Sequence, residues 1–115
     1  IMKYIYLLLL SFNAYGSCLD GADTTLDISQ CYSQMLKVEE GKLKKTLLQA
    51  YDTSDWVVDE IKLSQESWVS YKNSHCGAVY ASYGRGTMRL IAHPSCLVDL
   101  TKQRRIELQN NFINP

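Results

Sequence analysis

Residues 26–51 read LDISQCYSQMLKVEEGKLKKTLLQAY, and this stretch decides the fold class. It contains no proline and a single glycine, Gly41, so nothing in it forces the backbone out of a helix. Its apolar side chains recur at steps of three and four residues, which is the period of an amphipathic α-helix. The members of this stripe are Ile28, Cys31, Tyr32, Met35, Val38, Leu43, Leu47, Ala50 and Tyr51. We predict a helix that ends near Tyr51 and is capped by Thr25 or Asp27.

Two further segments continue the helical period. The first, residues 55–80, carries Trp68 and Tyr71 at helical spacing, and we expect both rings to pack in the core. The second, residues 88–111, is expected to break or kink at Pro94, because proline removes a backbone donor and clashes with the preceding turn. The tail, residues 110–115, is expected to fray. Three helices on short connections predict an all-α fold, a three-helix antiparallel bundle.

The amino-terminal segment has the composition of a secretion signal, with a lysine, a short apolar run and then small residues. The run is shorter than the ~20 apolar residues that cross a bilayer. We predict a signal peptide over residues 1–17, with Ile1 taken as an addition before the initiator methionine, and one helical domain over residues 18–115. The chain is therefore expected in the periplasm or outside the cell. A lipoprotein anchored at Cys18 is the alternative, which Tyr15 disfavours because a lipobox has an aliphatic residue there.

An even number of cysteines in an exported chain indicates disulfides before it indicates a metal site or catalysis. The four are Cys18, Cys31, Cys76 and Cys96. Pairing between sequence neighbours would join the first to the second and the third to the fourth. One bridge would then tie the leading segment to the first helix, and the other would staple the corner between the second and third helices. Two other pairings remain open from the sequence alone.

Two chemical alternatives at the cysteines are weaker. His75 and His93 lie near Cys76 and Cys96 and supply the residue types of a zinc site, but the spacing lacks a C-x-x-C pair. Cysteine catalysis would need a free thiolate in contact with an imidazole, whereas sequence neighbours on a helix point in different directions. No nucleophile-elbow, zinc-protease or phosphate-loop motif occurs. We expect no enzyme activity, no metal and no cofactor.

The charge balance limits the classes of partner. Once Lys3 is removed with the signal peptide, acidic side chains outnumber Lys and Arg by one. No broad basic field is present to attract nucleic acid or an anionic membrane. No strongly acidic face is expected either, which argues against a basic c-type lysozyme as a partner.

The loop between the second and third helices is the candidate binding site. Residues 80–87 read YASYGRGT, so two tyrosines and an arginine between glycines stand close together above a predicted disulfide. Tyrosine and arginine are among the residues that most often anchor interfaces. Tyr80, Tyr83 and Arg85 are therefore candidate partner-binding residues. The alternative is a plain solvated connection between two helices.

Three features follow one another in the chain: the pattern Trp68-x-x-Tyr71-Lys72-x-x-x-Cys76, a glycine-bearing loop, and a leucine-rich block that begins at Cys96. Together they resemble the LprI-like domain of exported bacterial proteins. The residues that carry the resemblance, besides the cysteines, are Trp68, Tyr71, Leu100, Thr101, Arg104, Glu107 and Leu108. The resemblance covers nearly all of residues 18–115.

The resemblance implies a small, exported, disulfide-stapled helical domain with no known catalytic activity. It also implies a protein partner, a lysozyme (muramidase) that the domain would inhibit. On this hypothesis Arg85 would face the paired carboxylates of a glycosidase cleft, while Tyr80 and Tyr83 would pack on the walls of that cleft. The alternative is a periplasmic accessory or immunity-type envelope protein without activity on lysozyme.

Overall fold

The computed structural model describes residues 17–115. All of the predicted signal peptide except Ser17 lies outside the described residues. The described part of the chain contains helices and connections but no strand. Within it, no helix combines the length and the apolar character that crossing a bilayer requires.

Residues 17–115 form four α-helices, namely α1 (Ser17–Asp20), α2 (Thr25–Thr53), α3 (Val58–Ser82) and α4 (Arg89–Leu108). A 3₁₀ turn, Asp55–Val57, joins α2 to α3, and a π-helical turn, Gln109–Ile113, follows α4. The predicted all-α class is confirmed. The count differs from the predicted three helices because the leading segment forms a helical turn of its own, α1.

The cap and the buried face of α2 both differ from the sequence prediction by one residue. Thr24 caps the helix, since its Oγ1 accepts a hydrogen bond from the Asp27 backbone N–H at 3.1 Å. Val38, placed on the apolar stripe, is 48% exposed, whereas Glu39 is only 2% exposed. Glu39 begins the buried face of the second half of α2, which continues at steps of four, three and four residues through Leu43, Thr46 and Ala50, and Val38 lies about 100° away from Glu39 around the helix.

Pro94 does not interrupt α4, so the predicted break in the helix is wrong. The helix runs continuously through it, and the proline itself is buried. Pro94 is the sixth residue of the helix, so its missing N–H deprives only the carbonyl four residues earlier of a partner. The buried ring and the cysteine two residues later fasten this turn to the rest of the fold.

Helix α4 lies at the centre of the domain, because it packs along both α2 and α3, while α2 and α3 approach each other far less closely. Helices α3 and α4 run antiparallel, as contacts from Cys76 to Cys96 and from Gln65 to Arg104 require. Contact between Glu39 and Arg105 places the middle of α2 beside the carboxyl-terminal half of α4.

The main core lies where α2 turns into α3. Its buried members are Leu43, Ala50, Ile61 and Leu108, with Leu47, Tyr51, Val57, Trp68, Phe112 and Ile113 packed against them. The tail contributes directly, since Ser54 Oγ donates to the Phe112 carbonyl oxygen at 2.7 Å. The prediction that these last residues fray is therefore wrong, because the tail covers the open end of the core.

Both sequence-local disulfides are present. Cys18 is joined to Cys31 with a Cα–Cα distance of 5.6 Å, and Cys76 is joined to Cys96 with a Cα–Cα distance of 5.7 Å. The first bridge fastens α1 to the start of α2. The second fastens the end of α3 to the start of α4 and thus sets the base of the loop between them.

Candidate partner-binding site

The loop between α3 and α4 is short and closed by its own backbone hydrogen bonds. Gly84 has a φ of +60°, a conformation that glycine adopts readily, and its N–H donates to the Ala81 carbonyl at 3.0 Å. The Gly86 N–H then donates to the Tyr83 carbonyl at 3.1 Å. These bonds end α3 and turn the chain toward α4 within a few residues. The loop is therefore a defined turn rather than a loose connection.

Arg89, on the first turn of α4, holds this loop from the inside. Its guanidinium carbon lies 5.3 Å from the centre of the Tyr80 ring, and its Nη1 donates to the Gly84 carbonyl at 3.3 Å. His93, one turn further along, meets the same ring edge-on at 5.8 Å between centroids. The sequence analysis assigned neither Arg89 nor His93 to the loop, although their spacing of four on one helix places them on the same face.

The structure places the three predicted site residues in different environments. Tyr80 is engaged by Arg89 and His93, so it supports the loop. Tyr83 is exposed at the end of α3, and Arg85 is exposed at the tip between the two glycines. Among residues 17–115, no hydrogen bond or ion pair involves the Arg85 guanidinium. Arg85 is therefore available to a partner, whereas Arg89 supports the loop.

A groove between α3 and α4 begins beside the loop, and we call it the α3–α4 groove. Its first hollow, of about 450 Å³, includes Tyr83 and Met88 at the loop end and Leu100 and Gln103 at the other. A second hollow of about 460 Å³ shares Leu100 and Gln103 and continues to Glu107. The remaining residues that line the two hollows are Ser64, Ser67, Trp68, Tyr71, His75, Val79, Ile91, Ala92, Ser95, Cys96 and Asp99.

The side chains of the weaker zinc and thiol alternatives are engaged in other contacts. Cys76 and Cys96 are bonded to each other, and the described part of the chain contains no free cysteine. His75 stacks on Tyr71 with 5.4 Å between ring centroids, and His93 contacts Tyr80. Within residues 17–115, no group of three or more metal-binding side chains converges.

Comparison with protein-family models gives one decisive match. The model described as lysozyme inhibitor LprI matches residues 18–108, which include both disulfides, all three long helices and the loop. The chain belongs to the LprI family. Comparison with curated proteins and with solved structures gives no match.

Of the residues that carried the LprI resemblance, Arg104 joins α3 to α4 by hydrogen bonds. Arg104, buried on α4, donates from Nε to Gln65 Oε1 and from Nη2 to Ser64 Oγ, each at 2.8 Å. Its Nη1 lies 3.5 Å from Glu107 Oε2, three residues further along the same helix. Thr101 Oγ1 donates to the Leu97 carbonyl at 2.7 Å. Residues of this set therefore hold the scaffold that carries the loop.

Among the aromatic members of the LprI motif, only one packs as predicted. Trp68 is partly buried and packs against the core, with the Lys72 ammonium 5.0 Å from its ring centre. Tyr71 is 55% exposed and lies on the wall of the α3–α4 groove against His75. The expectation that Tyr71 packs in the core is wrong, because its ring stacks on His75 beside the groove and more than half of the residue is exposed.

Proposed function

We propose that this LprI-family chain is an exported, non-catalytic protein that inhibits a muramidase. Family membership is the observation that carries the proposal, since the family is described by lysozyme inhibition. Two disulfides support export, because such bonds persist in oxidising compartments. The partner is then a protein, and the chain acts by occupying a surface of that protein.

The α3–α4 loop is the part of the molecule that fits an enzyme cleft best. It projects a cation, Arg85, on a backbone that is held by Gly84, Arg89 and the disulfide below. A glycosidase cleft holds two carboxyl groups about 5–10 Å apart, and a guanidinium pairs well with carboxylates. Since the loop is already ordered, binding would cost little additional conformational entropy.

Tyr83 and the α3–α4 groove would extend the contact away from the cleft. Tyr83 lies at the mouth of the groove with Met88, so an aromatic and a flexible apolar side chain flank the cation. Tyr80 is assigned a supporting part in this arrangement, because its ring is already occupied by Arg89 and His93.

The proposal is tested by titrating muramidase activity with the disulfide-bonded protein. Enzymes of the c, g and i classes would each be assayed for lysis of a cell-wall suspension. We expect concentration-dependent inhibition of at least one class, with no hydrolysis of cell walls by the protein itself. Failure to inhibit any class would contradict the proposal and favour the accessory or immunity-type alternative.

A further inference from the structure

The turn between α2 and α3 exposes an apolar surface that the fold does not use. Trp56 is 76% exposed and Leu63, two helical turns further on, is 65% exposed. An exposed tryptophan of this kind is uncommon on a protein surface and is a frequent anchor of interfaces. We call Trp56, Leu63 and the carboxylates around them the corner patch.

The corner patch is held rigidly from behind. Ser54, two residues before Trp56, is buried, and its hydroxyl donates to the Phe112 carbonyl at 2.7 Å. Val57, one residue after, packs against the core and its N–H donates to the Ser54 carbonyl at 3.1 Å. The indole therefore projects from a backbone that is already fixed, which lowers the entropic cost of using it as an anchor.

The charged side chains near Trp56 in the sequence are mostly acidic. Residues 46–61 contain no lysine, arginine or histidine, and their four carboxylates are all exposed: Asp52, Asp55, Asp59 and Glu60. The tail that packs beside this corner, residues 109–115, carries no charged side chain. One exposed cation, Lys62, precedes Leu63 and lies over the Tyr51 ring at 5.6 Å, so the acidic side chains of the corner are in excess by three. The near-zero net charge of the chain thus conceals a local acidic surface, contrary to the expectation from composition.

We infer that the corner patch docks a cationic muramidase, with Trp56 as the anchor and the four carboxylates as the complementary field. Electrostatic complementarity of this kind selects the partner and speeds encounter, while the desolvated indole supplies affinity. This inference rests on the proposed function for the class of partner, but it assigns a different surface. The corner and the α3–α4 loop lie at opposite ends of α3, about 37 Å apart at 1.5 Å per residue.

Binding, rather than inhibition, is therefore the appropriate measurement. A cationic c-type lysozyme would be immobilised, and the affinity of the wild-type protein would be measured from low to physiological salt. Trp56→Ala is expected to raise Kd at least about tenfold. The pair Asp55→Asn and Asp59→Asn is expected to raise Kd at low salt and to flatten its salt dependence, because exposed charges act within about 10 Å at 0.1 M salt.

Matched controls test whether a change in Kd is specific to the corner patch or follows the loss of any exposed apolar or acidic side chain. Leu26→Ala removes another exposed apolar side chain, and the pair Glu40→Gln and Glu66→Gln removes two exposed carboxylates elsewhere. Both controls should leave Kd within about twofold of wild type. Circular dichroism should show every variant folded, since each altered side chain is exposed.

The Arg85→Ala variant distinguishes this inference from the proposed function. Binding at the corner should persist in that variant, even where inhibition through the loop is lost. The inference is overturned if the wild type does not bind the cationic lysozyme, or if Trp56→Ala binds as tightly as wild type. Inhibition of any muramidase through the loop would be unaffected by that outcome.

Discussion

Arg89 lies with its guanidinium carbon 5.3 Å from the centre of the Tyr80 ring, which ties the first turn of α4 to the last turn of α3. The Nε of Arg89 is buried and has no hydrogen-bond acceptor within the described part of the chain, so the ring face is a main contact of this guanidinium. Four residues away, Arg85 is exposed at the loop tip. Arg89 therefore supports the loop from α4, whereas Arg85 is exposed to solvent at its tip.

Replacing the supporting arginine should loosen the loop without touching its tip. We expect Arg89→Ala to lower the free energy of unfolding by about 0.5–1 kcal/mol and to speed amide exchange at Gly84 and Gly86. Arg85→Ala is the matched control and should change neither quantity. Hydrogen exchange followed by NMR measures both. Equal amide exchange rates at Gly84 and Gly86 in the Arg89→Ala and wild-type proteins would contradict a supporting role for Arg89.

The buried carboxylate of Glu39 links α2 to α4 through an ion pair. Its Oε2 lies 3.7 Å from Arg105 Nε, and its Oε1 lies 3.4 Å from Lys42 Nζ. We expect Glu39→Ala to cost about 1–3 kcal/mol, less than a fully buried pair, because the partner cations reach solvent. Glu40→Ala, at the exposed neighbouring position, should change stability by less than about 0.5 kcal/mol. Urea unfolding of both variants measures the difference, and equal costs would contradict it.

The two tryptophans offer a paired test of the packing. Trp68 packs against the core and Trp56 does not. Trp68→Ala should therefore cost about 2–4 kcal/mol, somewhat below the range for fully buried aromatic residues, through lost burial and a residual cavity. Trp56→Ala should cost less than about 0.5 kcal/mol. A lower denaturant midpoint for Trp56→Ala than for Trp68→Ala would contradict the packing of Trp68 against the core.

The Cys76–Cys96 disulfide should contribute strongly to stability, since it closes a segment with a sequence separation of 20. The chain-entropy model gives about 3 kcal/mol for such a closure. The double variant Cys76→Ser and Cys96→Ser should lose about that amount. It should also lose the defined geometry of the loop. Non-reducing peptide mapping of the wild type checks the pairing, and a Cys18–Cys96 peptide would contradict it.

The sequence predicts those features of the fold that depend on local pattern. Helical periodicity located the three long helices, and the cysteine spacing favoured the two local bridges. Pro94 could not be interpreted locally, because its effect depends on how early in the helix it falls and on burial of its ring. The ordered tail depends on a hydrogen bond between Ser54 and Phe112, which lie 58 residues apart.

The candidate site was only partly visible in the sequence. The Tyr and Arg content of residues 80–87 led us to predict an interface, but it did not show that Tyr80 is engaged within the fold, because Arg89, which contacts its ring, lies outside this segment. Glu39 and Glu40 are chemically alike, and only the phase of α2 decides which is buried. Trp56 was missed because composition was averaged over the chain, although the carboxylates around it are adjacent in sequence.

The most direct test measures the inhibition constant of the Arg85→Ala variant against a muramidase that the wild type inhibits. A charge-assisted contact with a cleft carboxylate is worth about 1.5–3 kcal/mol, so the constant should rise roughly ten- to a hundredfold. Tyr83→Ala should weaken inhibition less, and Lys45→Ala, which removes an exposed cation of α2, should leave it unchanged. Inhibition by Arg85→Ala and Tyr83→Ala at wild-type strength would contradict the loop as the inhibitory site.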